Sequence, residues 1–196
     1  TNNMNTNITP LLFHGITKNN PNSWEEVKKE NFEYVLKIIG KEWLAIPSNQ
    51  NLNKKKWIIT FDDGLESDYK TAYPLLLKYK IKGIFFLITD FIGKPNYLNW
   101  DQIGEMNKNG MIFGSHGKSH KIMTKISHKE ARHELSYSKE KIETRIKKEI
   151  NSFSFPYGYW NRDLIQTAED VGYKYIYTSE YGEISGTKNY LPRYCI

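Results

Sequence analysis

One cysteine, Cys195, in 196 residues excludes an intramolecular disulfide framework and any zinc site built from several thiolates. The fold must be held by packing. Arginine is nearly as scarce, with four (Arg132, Arg145, Arg162, Arg193) against 24 lysines. Nucleic-acid readers lean on arginine forks for phosphate and guanine, so the net charge of +6 is not read as a nucleic-acid signal. Apart from Lys54-Lys55-Lys56 the lysines are scattered, and such a mildly cationic surface suits an anionic cell-envelope polymer equally well. Long apolar runs are missing too. The longest, residues 84–88, is far below the ~20 residues that span a bilayer, so no transmembrane segment is expected. No basic-then-apolar leader opens the chain, and because residue 1 is Thr rather than Met, it reads as a processed or trimmed product whose export signal could already be gone.

What is present suffices for one core of ordinary size: 39% hydrophobic and 14% aromatic residues predict a single domain over residues 1–196. Ser23 with Glu26 forms a capping-box pattern, and Trp24, Val27, Val35, Leu36 and Ile39 follow near helical spacing, which predicts a helix over 23–39 ended by Gly40. Ser127 with Glu130 repeats the signature ahead of a helix reaching about residue 149, with Ala131, Leu135, Ile142 and Ile146 on its inner face. Asn99 and Asn161 read as N-caps of helices ended by Gly110 and Gly172, and a further helix is expected over 69–79, bent or begun at Pro74. Between them lie β-rich runs at 8–13, 57–61, 83–88, 111–114, 152–155, 173–178 and 191–196, with a polar loop at 48–56. Alternating strands and helices predict a parallel sheet covered by helices. A complete eight-fold barrel needs ~250 residues, so an α/β, distorted and incomplete (β/α) barrel of about seven parallel strands is the expected fold.

In such folds functional residues gather at the C-terminal ends of strands. Asp62, Asp63 and Gly64 follow the run 57–61, and the glycine turn lets both carboxylates converge. His116 and His120 follow the run 111–114 at a spacing that can place two imidazoles on one metal. Two histidines and a carboxylate with an open position form a hydrolase pattern. A Pro156-Tyr157-Gly158 turn ends a third strand and can aim a backbone N–H at the same mouth. Taken singly, these are a solvated turn, a surface histidine pair and an ordinary turn. Independent surface features would seldom all fall at strand ends, so the joint reading is functional.

Thr60-Phe61-Asp62-Asp63-Gly64, Gly114-Ser115-His116-Gly117-Lys118-Ser119-His120 and Phe155-Pro156-Tyr157-Gly158 resemble, in order and spacing, the first three motifs of the polysaccharide deacetylase family, carbohydrate esterase family four. The likeness extends through residues 163–178. It implies a divalent metal held by Asp63, His116 and His120, commonly zinc, with cobalt, nickel or manganese as alternatives. It also implies Asp62 as general base and an N-acetylated sugar as substrate. The chemistry agrees: an amide is a poor electrophile and water a poor nucleophile, and a metal helps both. Asp62 would take the proton, the Tyr157 N–H would hold the oxyanion, and the departing amine needs a general acid.

Two departures matter. Most members carry an Arg two residues before the third-motif Pro, where this chain has Ser154, and most carry a late Leu-x-His acid, whereas no His follows His133. Enzymes acting on exported poly-N-acetylglucosamine have a permuted arrangement, which Phe13-His14-Gly15-Ile16 and Leu191-Pro192-Arg193 resemble. His14 is thus expected as the acid and Arg193 as the replacement arginine. Trp100, Tyr157, Tyr159 and Trp160 are candidates for an aromatic sugar platform, and His128 and His133 read as surface residues. The resemblance implies export to the cell surface, periplasm or extracellular space and a glycan partner. Peptidoglycan deacetylation, deacylation or deformylation of a lipid-linked sugar, and an inactive carbohydrate-binding module stay open as alternatives.

Overall fold

Runs rich in β-branched and aromatic residues favour a pleated, half-buried surface, and here they line up. In the computed structural model, which describes residues 7–47, 54–184 and 190–196, the order is β1 (Ile8–Phe13), β2 (Gly15–Thr17), β3 (Glu26–Lys28), α1 (Lys29–Ile39) and β4 (Lys56–Phe61). A π-helical turn, Asp68–Ala72, leads into α2 (Tyr73–Tyr79), then β5 (Gly83–Leu87), α3 (Trp100–Lys108) and β6 (Ile112–Ser115). Then come α4 (His128–Ile146), β7 (Ser152–Ser154), α5 (Arg162–Val171), β8 (Tyr175–Tyr177) and β9 (Tyr194–Cys195). Seven strands form one sheet in the order β8-β7-β6-β5-β4-β1-β9, with every pairing parallel. No helix among the described residues is long and apolar enough to cross a membrane.

The sheet curls into the distorted, incomplete barrel because one segment touches both of its edges. Leu191 bridges to Tyr177 beside β8, while Tyr194 and Cys195 pair with Leu11 and Leu12 of β1. Period-two alternation then sorts the side chains. Phe13, Phe61, Phe85 and Phe113 stand in register on four neighbouring strands and, with ring centroids 4.6–5.9 Å apart, pack outward under the helices. Ile8, Ile58, Ile84, Phe86, Tyr177 and Leu191 fill the interior. Gly114 is required there, since a Cβ would lie 2.6 Å from the Phe86 ring.

The helix expected over 23–39 starts only at Lys29. Glu26 does not close a capping box on Ser23; its carboxylate accepts the Asn22 N–H at 2.6 Å, and residues 26–28 pair with Gly15–Thr17 instead. The β-branched, buried Val27 serves the strand as well as it would a helix. Elsewhere the caps act as their sequence suggests: Asn99 and Gln102 form a reciprocal capping box at α3, Ser127 caps α4, and Asn161 with Gly172 bounds α5. Pro74 lies in the first turn of α2, directly after the π-helical turn in which the Tyr73 N–H bonds the Asp68 carbonyl. Of the polar loop expected at 48–56, residues 48–53 lie outside the described residues and Lys56 already belongs to β4.

Candidate active site

Alternation along β4 turns Thr60 and Asp62 inward, where Asp62 is 2% exposed. The segment that closes the barrel supplies its partner. Arg193, 1% exposed, grips Asp62 with two parallel bonds of 2.8 Å, Nη1 to Oδ1 and Nη2 to Oδ2. Its remaining N–H groups reach Thr60 Oγ1 at 3.1 Å, Ser154 Oγ at 2.9 Å and the Thr178 carbonyl at 2.9 Å, which employs all five donors of the guanidinium. Ser154 also donates to Asp62 Oδ2 at 3.0 Å. The small Ser154 leaves room for an arginine arriving from the opposite edge of the sheet, and Phe86 and Tyr177 support the guanidinium from within the barrel. Burial alone would raise the Asp62 pKa, but the charges of Arg193 and His116 beside it hold it well below the usual carboxylate range.

Asp63 leaves the strand in a left-handed conformation, φ 76°, and this swings its carboxylate to the same mouth. There Asp63, His116 and His120 each present one ligand atom, all within 4.8 Å of one another. Asp63 Oδ1 lies 3.4 Å from His116 Nε2 and 3.3 Å from His120 Nε2. The Nδ1 of His116 faces the Ser154 carbonyl at 2.8 Å, so the tautomer that donates there leaves the Nε2 lone pair aimed into the cluster. Burial, with the His116 charge second, pushes the His120 pKa down to about 4, which keeps this ring neutral and able to ligate at neutral pH. Burial would lower His116 too, yet Asp62 and Asp63 raise it. One carboxylate oxygen and two imidazole nitrogens at this spacing fit a divalent cation. Asp62 stands beside that set, 3.9 Å from His116 Nε2, and is engaged by Arg193.

These groups open into a cleft of about 380 Å³ lined by His14, Trp24, Tyr157 and Tyr159 among others. His14 lies between β1 and β2 and also lines a larger, polar groove of about 690 Å³ that continues from the cleft. Tyr157, also left-handed with φ 58°, lays its ring 4.5 Å from that of His120 while remaining 59% exposed. Trp100 and Trp160 do not line the cleft. Trp100 packs on the core with Arg145 5.3 Å over its ring, and Trp160 packs on Tyr190. Of the two histidines on α4, His128 bonds Thr167 and His133 packs its ring at a tilt against Tyr137. The sequence reading missed Trp24, which it had placed on a helix face. The residue is 76% exposed and stands edge-on to His14 at 6.1 Å. It is followed by residues 26–28, which pair with Gly15–Thr17, and no local pattern in the sequence signals that pairing.

Comparison with known proteins identifies relatives of this chain. Residues 49–176 match the family described as polysaccharide deacetylase. A poly-beta-1,6-N-acetyl-D-glucosamine N-deacetylase of Staphylococcus aureus is 31% identical over 172 residues, covering 80% of this chain and 59% of that protein. The chain spans 59% to 65% of the length of the curated relatives it matches. Among solved structures, the Streptococcus pyogenes deacetylase PplD in complex with acetate superposes with a TM-score of 0.89 at 27% identity, covering 96% of this chain and 92% of that one. IcaB from Ammonifex degensii shares the fold, with a TM-score of 0.82 at 22% identity over 96% of this chain and 91% of its own.

Proposed function

Because this chain belongs to the polysaccharide deacetylase family, its match covering residues 49–176, we propose that it is a metal-dependent N-deacetylase of N-acetylglucosamine residues in an exported or envelope glycan. The observation that carries the reading is the separation of two neighbouring carboxylates: Asp62 is bound by Arg193, while Asp63 faces two imidazoles. A binding module has no use for that division. A hydrolase does, since one carboxylate must move protons while the other holds a cation.

Asp63, His116 and His120 would hold the ion, with zinc the first candidate for this donor set. When bound, such an ion supplies Lewis acidity that polarises an amide carbonyl and acidifies water. Asp62 accepts the proton of the attacking water, and its charged form is secured by Arg193. The N–H of Tyr157 is assigned to the developing oxyanion, a contact typically worth ~3–4 kcal/mol. His14, on the cleft wall, is assigned to protonate the departing amine, because an amine cannot leave as an anion. Tyr157, Tyr159 and Trp24 offer ring faces to a sugar, and the polar groove beyond His14 offers room for further units of a polymer. The S. aureus relative, named for a polymer of N-acetyl-D-glucosamine, and the S. pyogenes relative, a deacetylase in complex with acetate, support removal of acetyl groups from such a polymer.

Acetate release from β-1,6-linked N-acetylglucosamine oligomers, chitin oligomers and peptidoglycan tests the reading. The expected result is release from the β-1,6-linked oligomers that stops with a chelator and returns with Zn²⁺. Release from peptidoglycan alone would transfer the assignment to a wall deacetylase, and release from none would end it.

A further inference from the structure

His120 holds a left-handed backbone, φ 61°, and for a residue with a side chain such a conformation persists only where its surroundings over-determine it. Those surroundings centre on Glu134 of α4, which is 2% exposed. Its Oε2 accepts the backbone N–H groups of Lys118 and Ser119, each at 2.8 Å. Its Oε1 accepts the Ser119 hydroxyl at 2.5 Å. The carboxylate is thus aimed at the two residues that immediately precede His120, while the rest of the inner face of α4 is Ala131, Leu135, Ser138 and Ile142. Gly117 admits it: φ there is 81°, and a Cβ would stand 3.4 Å from Glu134 Oε2 and 3.3 Å from Met123. From the other side, Asp90 N–H binds the Lys118 carbonyl at 2.9 Å, and Ser115 Oγ accepts the Gly117 N–H at 3.0 Å.

We infer that Glu134 is a positioning residue that sets the His116–His120 turn before any cation arrives, so that both imidazoles meet Asp63 already converged. The inference rests on the assignment of Asp63, His116 and His120 as ligands, but its first readout does not. A carboxylate placed for its charge and one placed for its hydrogen bonds respond oppositely to two small changes. Glu134→Gln keeps the length and loses the charge; its carbonyl oxygen can accept both N–H groups and its amide can donate to the Ser119 oxygen. Glu134→Asp keeps the charge and falls one methylene short.

The experiment measures amide hydrogen exchange at Lys118 and Ser119 in the metal-free protein by NMR, then Zn²⁺ affinity by chelator competition, with circular dichroism and Tm as fold controls. Glu134→Gln should match wild type in both readouts. Glu134→Asp should exchange about tenfold faster at the two amides, as expected for a lost buried hydrogen bond, and bind Zn²⁺ ~10–100-fold more weakly. Unchanged exchange in Glu134→Asp, or equal change in both variants, overturns the inference. If Glu134→Asp does not fold, Ser119→Ala replaces it: faster exchange at the Lys118 amide, whose bond to Glu134 the lost hydroxyl contact loosens, supports the clamp and unchanged exchange there overturns it. Should wild type take up no Zn²⁺, the ligand assignment fails while the exchange data still decide the role of Glu134.

Discussion

The guanidinium of Arg193 and the carboxylate of Asp62 meet as a bidentate pair inside the barrel, both bonds 2.8 Å long, although 131 residues separate them in sequence. A buried pair of this kind punishes the loss of one partner more than the loss of both, because the survivor is left as an unpaired charge. Arg193→Met should therefore destabilise the protein by ~3–5 kcal/mol and abolish most turnover. Adding Asp62→Asn should restore much of the stability and none of the activity. Chemical denaturation and acetate release on the two single variants and the double variant check both halves. A double variant no more stable than Arg193→Met would show that the pair is not the cause.

Asp62 and Asp63 should separate experimentally. Asp62→Asn should retain bound Zn²⁺ and lower kcat by ~10²–10⁴, the range for a lost proton-transfer group. Asp63→Asn should weaken binding of the ion, since it replaces the one charged oxygen among the three converging ligand atoms with a neutral amide oxygen. Elemental analysis beside turnover gives the answer, and equal metal loss in both would reverse the division of labour.

His14→Ala should keep fold and metal content while kcat falls ~10²–10⁴. An N-aryl acetamide, whose amine is a better leaving group, should suffer less from this substitution than an N-acetylglucosamine oligomer. Equal losses on both substrates would argue against an acid role.

Asp68, which is not among the three ligand residues but feels the charge of Asp63, gives a pH test in the metal-free protein. It is fully buried at the start of the π-helical turn, and neither carboxylate oxygen has a hydrogen-bond partner among the described residues. Burial, with the Asp63 charge second, raises its pKa well above the ordinary 3.8. The folded protein therefore holds the proton at pH values where the unfolded chain has released it. The stability from this group is full below about 3.8 and declines as pH rises toward the folded-state value. Asp68→Asn should raise Tm at neutral pH, by about 2–4 °C for each kcal/mol of relief, with the gain shrinking toward pH 4. A gain that stays constant with pH would mean that ionisation is not involved.

The alternation of runs made the barrel legible in the sequence, and the two-carboxylate, two-histidine arrangement was legible because strand ends deliver side chains to one mouth. Arg193 could be anticipated only as a replacement for the arginine missing at Ser154; the fivefold network around it depends on barrel closure, which no local pattern encodes. The stretch from Trp24 to Lys28 misled, because apolar residues at helical spacing also serve a short strand when another strand is waiting beside it. For the same reason nothing local marks Trp24 as a residue of the cleft, whereas Trp100, a candidate by residue type alone, packs on the core. Glu134 was invisible, since a carboxylate on a polar helix ordinarily faces water.

The closing segment also imposes an order on the assembly of the site. During translation at ~5–20 residues per second, Asp62 emerges 131 residues ahead of its arginine, an interval of roughly 7–26 s at those rates. Throughout that time the nascent barrel has an open seam between β1 and β8 and a lone acid facing its interior. The proton-transferring group comes into register only when the seam is sealed, so the same few residues that finish the architecture also arm it.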